Sequence, residues 1–504
     1  MTVRPLLRLA VPALLGIASA TAGALETDQY WAWGLPLGDS TGAINAKLNL
    51  ELERALASLP AQSPPAGCDE VAAVYRARMR FILMHDLQIW AWSSRLIDRA
   101  PDGDGEREVH RRSNLYSRHP LVDPGTWMPV TPTIEVAGVR FGTDKLAHFV
   151  SSGWILYRGF RKNVAEGASP EQAERGAVRR AVLDERLILG GLTSGVQAVA
   201  DLEAGAAGMR FYRDLCHGDE PVLVFDGERW GATRPVDLGG YVSPRWDESY
   251  QPSVFRPRRW RLVRPVLEGS CDRLGDPEVV ARRRAYRQRD RTSPVAEVVA
   301  ELVSAGALAD PESFGIEAVC GVVDPSREAT DEVPPKPGAA DAAAPAIDLA
   351  RAIADEESDR QRLALGLVGI HLTYPQVVSA SVAVMATSQP HGWLCRTPCD
   401  FRGPFAELEP GVGGVKLSVG WARVVGTTDV SGRWLTAGYF GLAPKLTLLR
   451  TWGDDGWLPG NRTYAGVELG VPIAQANVGI GALVRVDGGD GRRWTLTASA
   501  GWGF

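Results

Sequence analysis

The stretch Arg493-Trp494-Thr495-Leu496-Thr497-Ala498-Ser499-Ala500-Gly501-Trp502-Gly503-Phe504 decides the reading of the chain's last third. Trp494, Leu496, Ala498, Ala500, Trp502 and Phe504 share one parity, while Thr495, Thr497, Ser499, Gly501 and Gly503 share the other. A period of two puts these sets on opposite faces of a β-strand. The same alternation recurs upstream, with Val415, Leu417, Val419 and Trp421 set against Lys416, Ser418 and Gly420. It returns with Val478, Ile480, Ala482 and Val484 set against Asn477, Gly479 and Gly481. An apolar face backed by a small or polar one suits a lipid-facing outside around a narrow, side-chain-filled interior.

Alternation of this kind divides residues 363–504 into nine candidate strands. Tight turns are expected at 374–376, 410–414, 443–444 and 472–475, and longer polar loops at 387–400, 426–433, 453–462 and 487–492. Short turns at one end and long loops at the other are the asymmetry of an outer-membrane barrel. The segment also resembles outer-membrane barrel proteins in ending on an aromatic residue, Phe504. A single-chain barrel with both termini on one side needs an even count, so eight strands are expected and the weakly patterned residues 403–410 are the doubtful segment. Soluble antiparallel β-domains alternate too and form the alternative. The fold class expected is α+β multidomain: a helix-rich N-terminal domain, then an antiparallel all-β domain forming a small up-and-down barrel.

The first residues carry Arg4 and Arg8, an apolar run over 9–17 and small residues ending in Ala22-Gly23-Ala24. That order predicts a secretory signal over 1–24, and no later apolar run reaches the ~20 residues of a membrane-spanning helix. Residues 25–322 read as a helix-rich periplasmic domain, with helical periodicity over 72–97 and 172–212. A charged loop is expected over 101–112, and a Pro-, Trp- and Arg-rich wrapped loop over 229–259. Residues 323–360 read as a Pro/Ala/acidic linker, with a short helix over 347–357, and the barrel-like domain follows from 361. Six cysteines suit an oxidising compartment. Cys395 and Cys399 are expected to form a local disulfide, zinc ligation being the rival; Cys68, Cys216, Cys271 and Cys320 allow three pairings.

Chemistry-bearing residues concentrate in two short elements. Gly142-Thr143-Asp144-Lys145-Leu146-Ala147-His148-Phe149 heads a predicted helix, with Thr143 or Asp144 as its cap and Asp144 four residues before His148 on one face. Later, Asp201-Leu202-Glu203-Ala204 leads through Gly205 and Gly208 to Arg210, its small residues permitting close approach of another helix. Here the chain resembles the VanZ-like group of bacterial envelope proteins, through Asp144, Lys145 and His148 in one element and Asp201, Ala204 and Gly208 in the other. The resemblance covers about seventy residues. It implies an envelope location and no particular reaction. The intervening Arg- and Glu-rich helices depart from that group's membrane spans.

Asp144, Lys145, His148, Asp201 and Glu203 are therefore the candidate site. An oriented histidine can act as a general base, or these side chains with the carboxylates of Asp247 and Glu248 can gather round a metal. The structural alternative makes Lys145 and Arg210 ion-pair partners of Asp201 or Glu203, with His148 a satisfied interior histidine. His110 and His119 are expected at the surface. No cofactor is expected, a divalent metal being the alternative. No GxSxG elbow, HExxH helix or P-loop occurs. The net charge of -5 and pI near 5.9 exclude a nucleic-acid partner. The expected partners are outer-membrane lipid and an envelope lipid or cell-wall component. The functions consistent with this are a structural or binding role in the envelope, or an envelope hydrolase or transferase.

Overall fold

The computed structural model describes residues 28–59, 67–81, 84–115, 131–186, 195–322, 346–390, 399–428, 435–452, 460–473, 476–488 and 493–503. The expected signal segment, most of the linker, His119, Cys395 and Phe504 lie outside the described residues. The chain divides into two compact units, the first ending at Ile353 and the second beginning at Ala354. The layout is α+β, with helices in the first unit and a closed antiparallel barrel in the second.

The barrel has eight strands: β1 Arg360–Tyr374, β2 Val377–Pro390, β3 Cys399–Gly411, β4 Gly414–Thr428, β5 Leu435–Thr451, β6 Thr463–Ile473, β7 Ala476–Arg485 and β8 Trp494–Gly503. Each pairs with its sequence neighbour, and β8 closes on β1 from Ala498↔Tyr374 to Gly503↔Gly369. The doubtful residues 403–410 lie inside β3. The ninth segment arose at Ala443-Pro444, which is no turn but the middle of β5. Pro444 has no N–H to give the ladder, and pairing with β4 passes from Gly420↔Lys445 to Arg423↔Leu442 across it. With β5 unbroken, the connections at residues 375–376, 412–413, 452–462 and 486–493 share one end. Those at 391–398, 429–434 and 474–475 share the other with the barrel's two chain ends. Short and long connections are thus mixed at both ends, which corrects the expected asymmetry.

The register carries one apolar row from strand to strand: Val368↔Val382↔Leu408↔Leu417↔Leu448, then Ala465, Val484 and Trp494. Leu417 is 53% exposed and Val484 58%, so this row faces outward. A second outward row runs through Val384, Ala406, Val419, Leu446, Val467, Ala482 and Leu496. Polar and charged groups point inward. Lys416 Nζ lies 2.9 Å from Glu409 and Lys445 Nζ 2.5 Å from Glu407, while Thr447 donates to Glu468 at 3.0 Å. An apolar cluster including Leu365, Met385, Phe401 and Val424 fills another part of the interior. Buried charges are tolerable there because each meets an opposite charge or a donor.

In the helical unit, 101–112 is not a loop: a helix covers Asp104–Ser113. The Asp-Gly signal marks only its start, where Gly103 takes φ 98°, and the Glu- and Arg-rich stretch that follows favours helix. His110 is buried rather than exposed, with its Nε2 3.1 Å from the Asn114 amide and its ring edge-on to Trp31. Disulfides join Cys68 to Cys216 and Cys271 to Cys320; Cys399 is also disulfide-bonded. The expected short helix is present as Ala346–Ser358, with Ile353 in the helical unit's core and Leu349 packed against it. Among the described residues no helix is long and apolar enough to cross a membrane.

Candidate functional site

Four elements build the site. Helix α1 (Asp144–Ala147) passes through a single π-turn, His148–Ser152, into α2 (Gly153–Ala165). After α3 (Pro170–Asp184), helix α4 (Val199–Cys216) crosses the π-turn and α2. The crossing depends on glycine at two positions. A Cβ on Gly208 would sit 1.9 Å from the carbonyl oxygen of Phe149, and one on Gly153 would sit 2.6 Å from Gly208 Cα. Backbone therefore meets backbone, and Tyr212 clamps the turn by donating from its hydroxyl to Val150 O at 2.9 Å. Two turns before Gly208, Asp201 comes to face His148.

Lys145 is fully buried at the centre. Its Nζ lies 2.6 Å from Asp144 Oδ2 and 2.7 Å from Asp201 Oδ1, and it also donates to Glu248, a residue of the wrapped 229–259 loop. Thr131 donates to the second oxygen of Asp144 at 2.9 Å. His148 stands at the edge, its side chain 21% exposed, with Nε2 3.2 Å from Asp201 Oδ2 and Nδ1 3.3 Å from Ser152 Oγ. The structure thus brings together Asp144, Lys145, His148 and Asp201, but His148 bonds to Asp201 rather than to Asp144. Glu203 points elsewhere and accepts from Ser293 at 2.5 Å. Asp247 accepts from Ser249 and Tyr286, so only Glu248 of the adjoining acids reaches Lys145. Neither expected cap forms: Asp144 is spent on Lys145 and Thr131, and the buried Thr143 hydroxyl has no hydrogen-bond partner among the described residues.

The charges are unequal. Burial pushes Glu248 up to about 8 despite Lys145 beside it, helped by the charges of Asp144 and Asp201. Burial, then Asp201, pushes Glu185 up to about 8 as well. Asp144 is also buried, yet Lys145 and then His148 hold its carboxyl below the usual range. The two glutamates thus hold their protons more tightly than exposed ones, while Asp144 and Asp201 both contact the Lys145 ammonium.

Asp144, His148 and Asp201 each offer a ligand atom within 4.8 Å of the others, a spacing a divalent ion could draw together. Lys145 Nζ also contacts both of these carboxylates, at 2.6 Å from Asp144 and 2.7 Å from Asp201, so its ammonium already offsets part of their charge. The other comparable group, Asp69, Cys216 and His217, has its sulfur committed to the Cys68 disulfide. Sequence reasoning missed Glu185, Ser151 and Ser152. Glu185 sits in a charged stretch like any surface helix, but Asp144, His148 and Ser152 recur at intervals of four, a signal legible in advance. Ser151 pairs with a second histidine, its Oγ 3.3 Å from His85 Nδ1. No family model, curated protein or solved structure matches this chain.

Proposed function

We propose that this chain is a cell-envelope protein whose barrel is seated in an outer membrane and keeps the helical unit at that membrane in a binding role. The observation that carries the reading is the inverted surface of the barrel. Outward rows of Val, Leu, Ile and Trp run strand to strand, while Glu407, Glu409, Lys416, Lys445 and Glu468 turn inward. A soluble domain does the reverse, and a contiguous apolar belt of this extent in water would drive aggregation. Eight strands leave an interior that side chains fill, which favours an anchor or platform over a pore. Exposed Trp421, Trp452, Trp494 and Trp502 suit the aromatic girdles of such barrels. The VanZ-like kinship belongs to the same proposal and is supported by the meeting of its two elements at Lys145.

The test is density-gradient fractionation of Gram-negative cells producing the full chain. Recovery with outer-membrane markers after a carbonate wash is the expected result. Recovery with soluble periplasmic markers would overturn the membrane seat. A second reading, an envelope hydrolase or transferase, is favoured by one observation: an accessible histidine bonded to a buried aspartate.

A further inference from the structure

The geometry points to a serine esterase centre in the helical unit, with Ser152 as nucleophile, His148 as its base and Asp201 as the acid that orients the ring. Both contacts of such a triad are present. Ser152 Oγ lies 3.3 Å from His148 Nδ1, and His148 Nε2 lies 3.2 Å from Asp201 Oδ2. With Nε2–H directed at Asp201, the Nδ1 lone pair faces the serine hydroxyl. The 3.3 Å separation suits a resting site whose hydrogen bond shortens when substrate binds.

Three further features set this apart from an ordinary i,i+4 pair on a helix. Burial is graded: Asp201 is 7% exposed, the His148 side chain 21%, and Ser152 is half-buried, so the reactive end meets solvent and the orienting end does not. Lys145 takes Oδ1 of Asp201 and leaves Oδ2 for the ring, so that carboxylate serves both without being free to turn. Histidine and serine both sit in the π-turn, a distortion that recurs at functional sites, and it is held by Tyr212 and by the Gly208 crossing.

The reaction is acyl transfer to water. The Ser152 hydroxyl proton passes to His148 Nδ1 as Oγ bonds to the carbonyl carbon of an ester. The ester C–O bond then breaks, and the departing alkoxide takes the proton from the ring. Water repeats the sequence on the acyl-serine, releasing a carboxylic acid and restoring the hydroxyl. Ile155, 67% exposed and three residues beyond Ser152, offers an apolar contact for the acyl chain. The assignment of an envelope lipid ester as source rests on the membrane-seated reading; the nucleophile does not.

The experiment uses the full chain in detergent with a fluorophosphonate probe, the adduct being located by peptide mass mapping. Wild-type protein should carry it on Ser152. His148→Gln and Asp201→Asn should slow labelling at least tenfold, and the sigmoidal rise of labelling rate with pH should vanish in His148→Gln and shift its midpoint in Asp201→Asn. Absence of a Ser152 adduct in the wild-type protein overturns the proposal whatever the variants do. p-Nitrophenyl octanoate should turn over faster than the acetate; the reverse order overturns the apolar-chain assignment. Labelling in detergent is independent of membrane seating, so failure of one reading is distinguishable from failure of the other.

Discussion

Glu185, Glu203 and Glu248 are acids that folding makes harder to ionise. Burial pushes Glu203 up to about 7 and the other two up to about 8, against 4.5 for the exposed side chain. Between those values the unfolded chain holds fewer protons than the folded one, so stability falls as pH rises from about 5 to 8. Each group contributes a slope of up to about 1.4 kcal/mol per pH unit. Thermal melts should therefore show the helical unit more stable near pH 5 than near pH 8. Glu185→Gln, which cannot ionise, should flatten that slope and raise the melting temperature at pH 8; an unchanged slope would show that Glu185 is not buried as described. The same scale governs the helix crossing. Gly208→Ala puts a methyl 1.9 Å from a carbonyl oxygen on a backbone with no flexible side chain to yield. It should cost about 3 kcal/mol or more in denaturant unfolding, at the upper end of overpacking effects.

Strands in this protein were legible wherever one face meets a uniform environment. β8 could be read residue by residue, because its outer side chains share one requirement and its inner ones another. The misreadings occur where a single residue signal outweighed the pattern. Pro444 reads as a turn, yet in β5 it faces outward and is exposed, at a place where the ladder to β4 is interrupted. Asp102-Gly103-Asp104 reads as a loop, though it only begins the helix over Asp104–Ser113. The outward row gives this scale its prediction. Leu417 lies between Leu408 and Leu448. Leu417→Arg should destabilise the barrel in bilayers by about 2–4 kcal/mol if it lies near the midplane. Folding efficiency into lipid vesicles measures this, and an arginine tolerated there without loss would contradict a lipid-facing position.

Across the whole molecule, the two bridges that close long loops lie in the helical unit, whereas the disulfide-bonded Cys399 sits at the start of a barrel strand. The Cys68–Cys216 bridge spans 148 residues and Cys271–Cys320 spans 49, both within the helical unit. Removing bridges that close loops this long costs about 3–5 kcal/mol each in the chain-entropy account. Reduction should lower the helical unit's melting temperature markedly while leaving barrel strand content intact by circular dichroism. The site shows why function was harder to read than fold. Asp144, Lys145, His148 and Asp201 could be nominated from their spacing, but Glu248 arrives from an irregular loop, and Glu203 is turned away by helix rotation towards Ser293. No local pattern encodes the first outcome, whereas the helix period alone puts Asp201 and Glu203, two apart, on different faces. The central claim, that the last third of the chain is a membrane-seated barrel, is tested most directly by gel mobility of the protein from an outer-membrane fraction, boiled and unboiled. A closed barrel whose backbone bonds are all internal should resist detergent, so the unboiled sample should migrate differently from the boiled one. Identical mobility, with the protein recovered in the soluble fraction, would contradict the account.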